Sequence, residues 1–174
     1  MKRICIIIAL ALVSVFCFAQ KRIPLLDKAA GKRVSFNYVY SYDSGKGMGE
    51  VTSGKVTAEG ECFVVTGMGL TSYSDGSTCW MVDENEKEVV IQPLSKEDPF
   101  TNPALLVSSY SNYMDKITVK SEGADSLDII LKLDDNTKLR FVLSAVQYSE
   151  PLGTDGFRFS TSSLSSDYVV TDLR

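Results

Sequence analysis

The chain is 174 residues long and carries 18 Lys and Arg against 22 Asp and Glu, a net charge of −4, with no histidine. That balance argues against nucleic acid and anionic membrane surfaces as partners, because both favour basic patches. The missing histidine excludes the ordinary Ser-His and Cys-His nucleophile pairs and any His-type zinc site.

Lys2 and Arg3 precede an apolar run from Ile4 to Phe16, followed by Cys17-Phe18-Ala19-Gln20. A basic start, a short apolar core and small residues at Cys17 and Ala19 predict a secretory signal peptide over residues 1–19, cut after Ala19. The run is too short for a comfortable membrane span. Phe16 stands where a lipoprotein signal needs a small residue, so Cys17 is not read as a lipidation site. Without the leader, 16 of the 18 cations face 22 acids, a net charge of −6. Residues 20–174 are then one exported domain, large enough to bury a core.

A short helix is expected to start near Pro24, a favoured first position, with Ile23, Leu25, Leu26, Ala29 and Ala30 on one face and Gly31 at its end. At about eight residues it cannot stand alone and must pack on something. Val34 to Tyr42 is the cleanest strand: Val34, Phe36, Tyr38, Tyr40 and Tyr42 share one parity and Ser35, Asn37, Val39 and Ser41 the other, as in a half-buried antiparallel strand. Strands are expected over Glu50–Thr57, Cys62–Thr66, Leu70–Tyr73, Thr78–Val82 and Glu88–Ile91. The turns between them are Asp43 to Gly47, Glu59-Gly60, Gly67-Met68-Gly69, Asp75-Gly76 and Asp83 to Lys87. Asp75-Gly76 is the strongest hairpin signal, expected as a type I′ turn with positive φ at both central residues. Trp80, the only tryptophan, follows it.

Asn102-Pro103 predicts a helix start, with Asn as N-cap and Pro as first residue. The helix runs over Ala104–Tyr113 with Leu105, Leu106, Ser109, Tyr110 and Tyr113 on one stripe. Strands are expected again over Lys116–Ser121, Ser126–Leu133 and Lys138–Tyr148, with Leu139, Phe141, Leu143 and Ala145 on one face and Val142 and Val146 opposite. Gly156–Phe159 reads as a short strand, Ser160–Ser166 as a loop and Tyr168–Leu173 as a final strand. The predicted fold class is mainly β: a curved antiparallel sheet of roughly nine to ten strands, which curls at that size. It forms an incomplete, half-open β-barrel covered by one or two short helices, which can enclose an apolar cavity.

Cys62 and Cys79 remain after the leader. A disulfide is permitted in an oxidising compartment, but the intervening strand Leu70–Tyr73 would hold the two strands about 9.5 Å apart, beyond disulfide reach. The acidic runs at Asp83-Glu84, Glu86, Glu88 and Asp134-Asp135 lack the liganding pattern of a calcium loop and read as solvated turns. Gly45-Lys46-Gly47-Met48-Gly49 has no helix after it and reads as a hairpin turn, not a phosphate loop. No catalytic group, metal site or cofactor is expected. The candidate ligand-binding residues are apolar: Phe36, Tyr38, Tyr40, Val56, Phe63, Val65, Trp80, Val82, Val90, Leu105, Leu106 and Tyr110. Each could be plain core. Together they could wall an acyl chain, for which each CH₂ taken from water contributes about 0.8 kcal/mol.

One pattern resembles the LolA-type periplasmic lipoprotein carriers. It runs through Gly54-Lys55-Val56, Gly60 with Phe63-Val64-Val65, Leu70-Thr71, Ser74-Asp75-Gly76-Ser77-Thr78 with Trp80, and Glu88-Val89-Val90-Ile91. It continues in Asn102-Pro103-Ala104-Leu105-Leu106, Asp155-Gly156-Phe157-Arg158-Phe159 and Val170-Thr171-Asp172-Leu173-Arg174. The resemblance implies an incomplete barrel with a helical lid and non-catalytic binding of lipoprotein acyl chains by a monomer. It also implies cargo received from an inner-membrane transporter and passed to an outer-membrane acceptor. Glu59-Gly60 stand where many members carry Arg-Pro, so that arginine's part in cargo release does not carry over. One or two strands fewer fall between Leu133 and Phe157 than in the family. The alternative is an envelope interaction or sensor module with the same fold, a filled core and no cargo.

Overall fold

A computed structural model describes residues 22–43, 45, 47–96 and 104–174. The expected leader and the Asn102-Pro103 helix start lie outside the described residues. Ten strands form one sheet: β1 (Arg33–Asp43), β2 (Gly49–Glu59), β3 (Cys62–Gly67), β4 (Leu70–Asp75), β5 (Thr78–Asp83), β6 (Glu88–Pro93), β7 (Ile117–Glu122), β8 (Leu127–Lys132), β9 (Lys138–Ser149) and β10 (Val169–Asp172). Two short helices accompany them, α1 (Pro24–Asp27) and α2 (Ala104–Ser108). The strand order is β10-β6-β5-β4-β3-β2-β1-β9-β8-β7, so the sheet curls without closing. This is the half-open, mainly β barrel with few helices that the alternation predicts.

Two glycines face each other where no side chain fits. Gly54 on β2 pairs with Gly67 on β3. A Cβ on Gly54 would overlap the Thr66 carbonyl, and one on Gly67 would overlap the Tyr38 hydroxyl. The Tyr38 hydroxyl occupies the space over Gly67 and donates to the Thr66 carbonyl at 3.4 Å. Strand glycines covered by an aromatic ring are a device for curvature.

The meander's turns differ from expectation in one respect. Positive φ at both loop residues, the signature of type I′, occurs at Met68 (55°) and Gly69 (78°), not at Asp75-Gly76. At the latter only Gly76 is left-handed, at 90°. There the Asp75 carboxylate accepts from the Ser77 and Thr78 N–H groups, both at 3.0 Å, so a side chain closes this turn.

A second correction concerns parity in β9. The β1–β9 ladder slips between Ser35 and Asn37, and Ala145 opposite sits at φ 52°. This bulge inserts one residue, so Val146 joins Leu139, Phe141 and Leu143 in the inner core instead of facing away. The expected helix Ala104–Tyr113 is likewise divided: α2 ends at Ser108, Ser109 leaves the helical region (φ −136°, ψ 22°), and Tyr110–Tyr113 forms a single 3₁₀ turn. The Ser108 hydroxyl donates to the Ala104 carbonyl at 2.9 Å, competition that weakens a serine-rich helix.

Helix α1 lies against the sheet as its length demands. Ile23, Leu25, Leu26 and Ala29 are buried, whereas Ala30 points to solvent. The Leu25 N–H donates to Glu122 Oε1 at 2.8 Å, and the Leu25 carbonyl accepts from the Tyr148 hydroxyl at 2.6 Å. Both polar backbone groups of Leu25, which lack partners within this one-turn helix, are thereby satisfied.

Beyond β9 the chain crosses the outer face. Gly156–Phe159 is not a strand: Asp155–Phe157 makes a 3₁₀ turn that buries Phe157 to 1 % exposure. The final strand is present as β10, but it pairs parallel to β6. A parallel neighbour requires a crossover, and residues 150–168 supply it.

Candidate functional site

The register across β2 to β6 decides which side chains meet. Ala58, Phe63, Ser74, Cys79 and Gln92 form one inner row, and Val56, Val65, Ser72, Met81 and Val90 the next. Phe36 on β1 continues the second row through Val56. Between these rows, β9 and α2 the side chains leave a cavity of about 280 Å³. Phe36, Tyr38, Tyr40, Val56, Phe63, Val65 and Leu106 line it, seven of the twelve sequence candidates. The Tyr40 and Phe141 rings meet at 5.2 Å and a 35° tilt along one wall.

Five candidates lie elsewhere. Trp80 pairs with Tyr73 and Val82 with Thr71, rows that alternate with the cavity rows, so both point to the outer face. There they pack with Val89 and Ile91 beneath Phe159, Leu164 and Tyr168 of the crossing C-terminal segment. Their expected place in the cavity wall is corrected: these two are core of the opposite face. Val90 shares the inner row of Met81 but is not part of the lining. Leu105 is buried outside the lining.

Tyr110 borders a separate hollow of about 450 Å³ between α1, α2 and the adjoining ends of β1 and β2. It donates to the Asp27 carboxylate, accepts from the Ile23 N–H at 3.4 Å, and has its phenol pushed up by burial and by Asp27. Arg22 pairs with Asp27 at 3.3 Å at the rim. Leu26, Ala29, Val34, Ala58 and Val107 line this hollow together with Arg22, Asp27 and Tyr110, whose polar groups are paired with one another.

Sequence reasoning passed over Phe141 and Leu143, whose parity with Leu139 was legible, and over Thr52, Ser72, Cys79, Met81 and Gln92. The available signal was the two-residue turn at Met68-Gly69. It places Val65 opposite Ser72, and from there Met81, not Trp80, falls on the cavity side.

Cys62 and Cys79 are free, buried thiols. Cys62 pairs with Asp75 and Cys79 with Ser74, neighbours along β4, so the two sulfurs lie on opposite faces. Burial holds the Cys79 thiol up at about 11; Cys62 is raised by burial and by Asp75. Both are inert as nucleophiles near neutral pH. The acidic turns have structural partners: Asp83 accepts from the Asn85 and Glu86 N–H groups and Asp134 from those of Asn136 and Thr137, all within 3.0 Å.

The outer segment is held by two carboxylates. Glu59 accepts from the Leu152 N–H at 3.1 Å, the Gly153 N–H at 3.0 Å and Arg33 Nε at 2.9 Å. The Leu152 and Arg33 bonds hold its carboxyl below the ordinary range against the opposing effect of burial. Asp75 pairs with Arg158 at 3.2 Å. Burial pushes its carboxyl up, but its bonds to Thr78 and Ser77 outweigh that and lower it. Arg33 also lies 4.8 Å over the Phe157 ring.

No protein-family model matches the chain, and no curated protein matches it. Among solved structures it is similar to an uncharacterized conserved protein from Thermus thermophilus, at 9% identity and a TM-score of 0.46, over 86% of this chain and 95% of that one.

Proposed function

We propose that this chain is a LolA-like carrier of acyl chains. Exported to the periplasm, it holds the tail of an acylated lipoprotein or related lipid in the inner-face cavity. It receives this cargo from an inner-membrane transporter and gives it up to an outer-membrane acceptor. The observation that carries the reading is the cavity of about 280 Å³ beneath Leu106, walled by Phe36, Val56, Phe63, Val65, Phe141 and Leu143. An engineered apolar cavity of roughly 150 Å³ takes a benzene ring, so this one suits one tail better than several. Such binding needs no reacting group. Burial alone supplies about 0.8 kcal/mol per methylene.

The other side of the inner face favours a second reading. Met114, Ile117, Leu127, Ile129, Leu131 and Leu139 are all buried there, as in a filled core. If the cavity wall moves inward to match, the chain is an envelope interaction or sensor module without cargo. The deciding experiment isolates the protein from its native envelope without detergent and examines an organic extract by mass spectrometry. The carrier reading expects acyl lipid near one per chain, and uptake of an acylated peptide by the stripped protein. Empty protein that takes up no peptide leaves the module.

A further inference from the structure

The cavity wall is uneven in chemistry. On β1 and β9 it is mostly hydrocarbon and aromatic ring, Phe36, Phe141 and Leu143, together with Tyr38, whose hydroxyl donates to the Thr66 carbonyl, and Tyr40. On β4 and β6 it carries Ser72 and Gln92. Both are half-buried, and neither side chain has a hydrogen-bond partner among the described residues. Their strands are separated by β5 alone, about 9.5 Å between backbones. Among the described residues, no Lys, Arg, Asp or Glu lines the cavity.

A polar group partly withdrawn from water without a partner is a standing cost that a ligand's hydrogen bond offsets. An ionised group brought to the same place gains no counter-charge and loses its hydration. We infer that the cavity selects a single-tailed amphiphile with an uncharged hydrogen-bonding head — an acyl ester, amide or alcohol — and rejects the free fatty-acid anion. The tail lies toward Phe36, Phe141 and Leu143. The head lies toward Gln92 and Ser72, where the Gln92 amide N–H or the Ser72 hydroxyl donates to the ligand's carbonyl oxygen. This rests on the acyl-binding reading above and names its substrate class and two residues that set specificity.

The test is a competition titration of the stripped protein against a fluorescent acyl ester. The competitors are a medium-chain methyl ester, the corresponding alkane, and the corresponding free acid at about pH 8, where a carboxylic acid is ionised. The ester should bind at least about tenfold more tightly than the acid, since an unpaired buried charge is strongly disfavoured. Gln92→Leu should reduce the preference for ester over alkane by about fivefold to tenfold, the range for losing one hydrogen bond. Gln92→Lys should raise the affinity of the acid. Thermal melts establish that each variant is folded. Should the lysine variant fail to fold, Ser72→Ala, a smaller change, must still lower the ester preference.

An acid that binds as tightly as the ester overturns the inference and leaves acyl binding standing. So does an ester preference that neither Gln92→Leu nor Ser72→Ala alters. If the fluorescent ester and all three competitors fail to bind, acyl binding itself is wrong and the inference falls with it.

Discussion

The inner and outer faces of β3 to β6 draw on one run of sequence and are covered in different ways. On the outer face, Trp80, Val82, Val89 and Ile91 are sealed by the chain's own C-terminal segment through Phe159, Leu164 and Tyr168. On the inner face, Phe63, Val65, Cys79 and Met81 look across a gap toward β9, and among the described residues of α2 Leu106 reaches over it. Alternation alone makes both faces apolar. A distant segment decides which one becomes core and which keeps a space.

The largest effect should come from Trp80→Ala. Deleting a large side chain from the sealed face should cost about 3–5 kcal/mol, measured as a lower urea midpoint. Acyl-probe affinity of the protein that stays folded should be unchanged. Loss of probe binding by the folded variant would mean that the two faces are not independent. Val65→Phe makes the opposite test, placing a ring in the inner space. Probe affinity should drop more than about tenfold, or ~1.4 kcal/mol, with stability held or slightly raised as in other cavity fillings. A folded variant that still binds the probe normally would show that the ligand sits elsewhere.

Acid should separate the faces more gently. The carboxyls of Glu59 and Asp75 lie below their ordinary values of 4.5 and 3.8. A depressed folded-state value means that their contribution is fully present above those values and is lost as pH falls below them. Both hold the outer segment, so Trp80 emission should shift toward that of an exposed indole before global unfolding as pH is lowered through this window. Emission that changes only with global unfolding would show that these carboxylates do not hold the segment.

The smallest effect belongs to Ala145, whose φ of 52° is unfavourable for any residue with a Cβ. Ala145→Gly relieves the strain but frees the unfolded chain, so the net gain should be under about 1 kcal/mol. A loss larger than that would mean that the methyl group itself is needed at the bulge.

Much of the architecture was legible. The strands, the meander and the final strand follow from alternation punctuated by Gly, Asp and Pro, and α1 follows from Pro24 and the apolar spacing after it. The cavity residues of β1 followed as well, because Phe36, Tyr38 and Tyr40 lie on one alternation whose opposite face is nearly polar. On β5 both parities are apolar: Cys79 and Met81 on one, Trp80 and Val82 on the other. Size favoured the tryptophan face, and size says nothing about direction. The sequence of Gly156–Phe159 reads as a strand, although the burial of Phe157 comes from lying across β3 and β4 beside Arg33.

By itself the amino-acid order determined which residues share a face within each strand, since that depends only on a two-residue repeat of the backbone. Whether a given face looks inward was decided by the fold. The Met68-Gly69 turn, the Asp75 carboxylate closing the next loop and the bulge at Ala145 set how one strand's parity passes to its neighbour. The crossing of residues 150–168 then chose the side to be covered. Each of these depends on groups far apart in the chain coming into contact, and a repeat of two residues carries no information about such contacts.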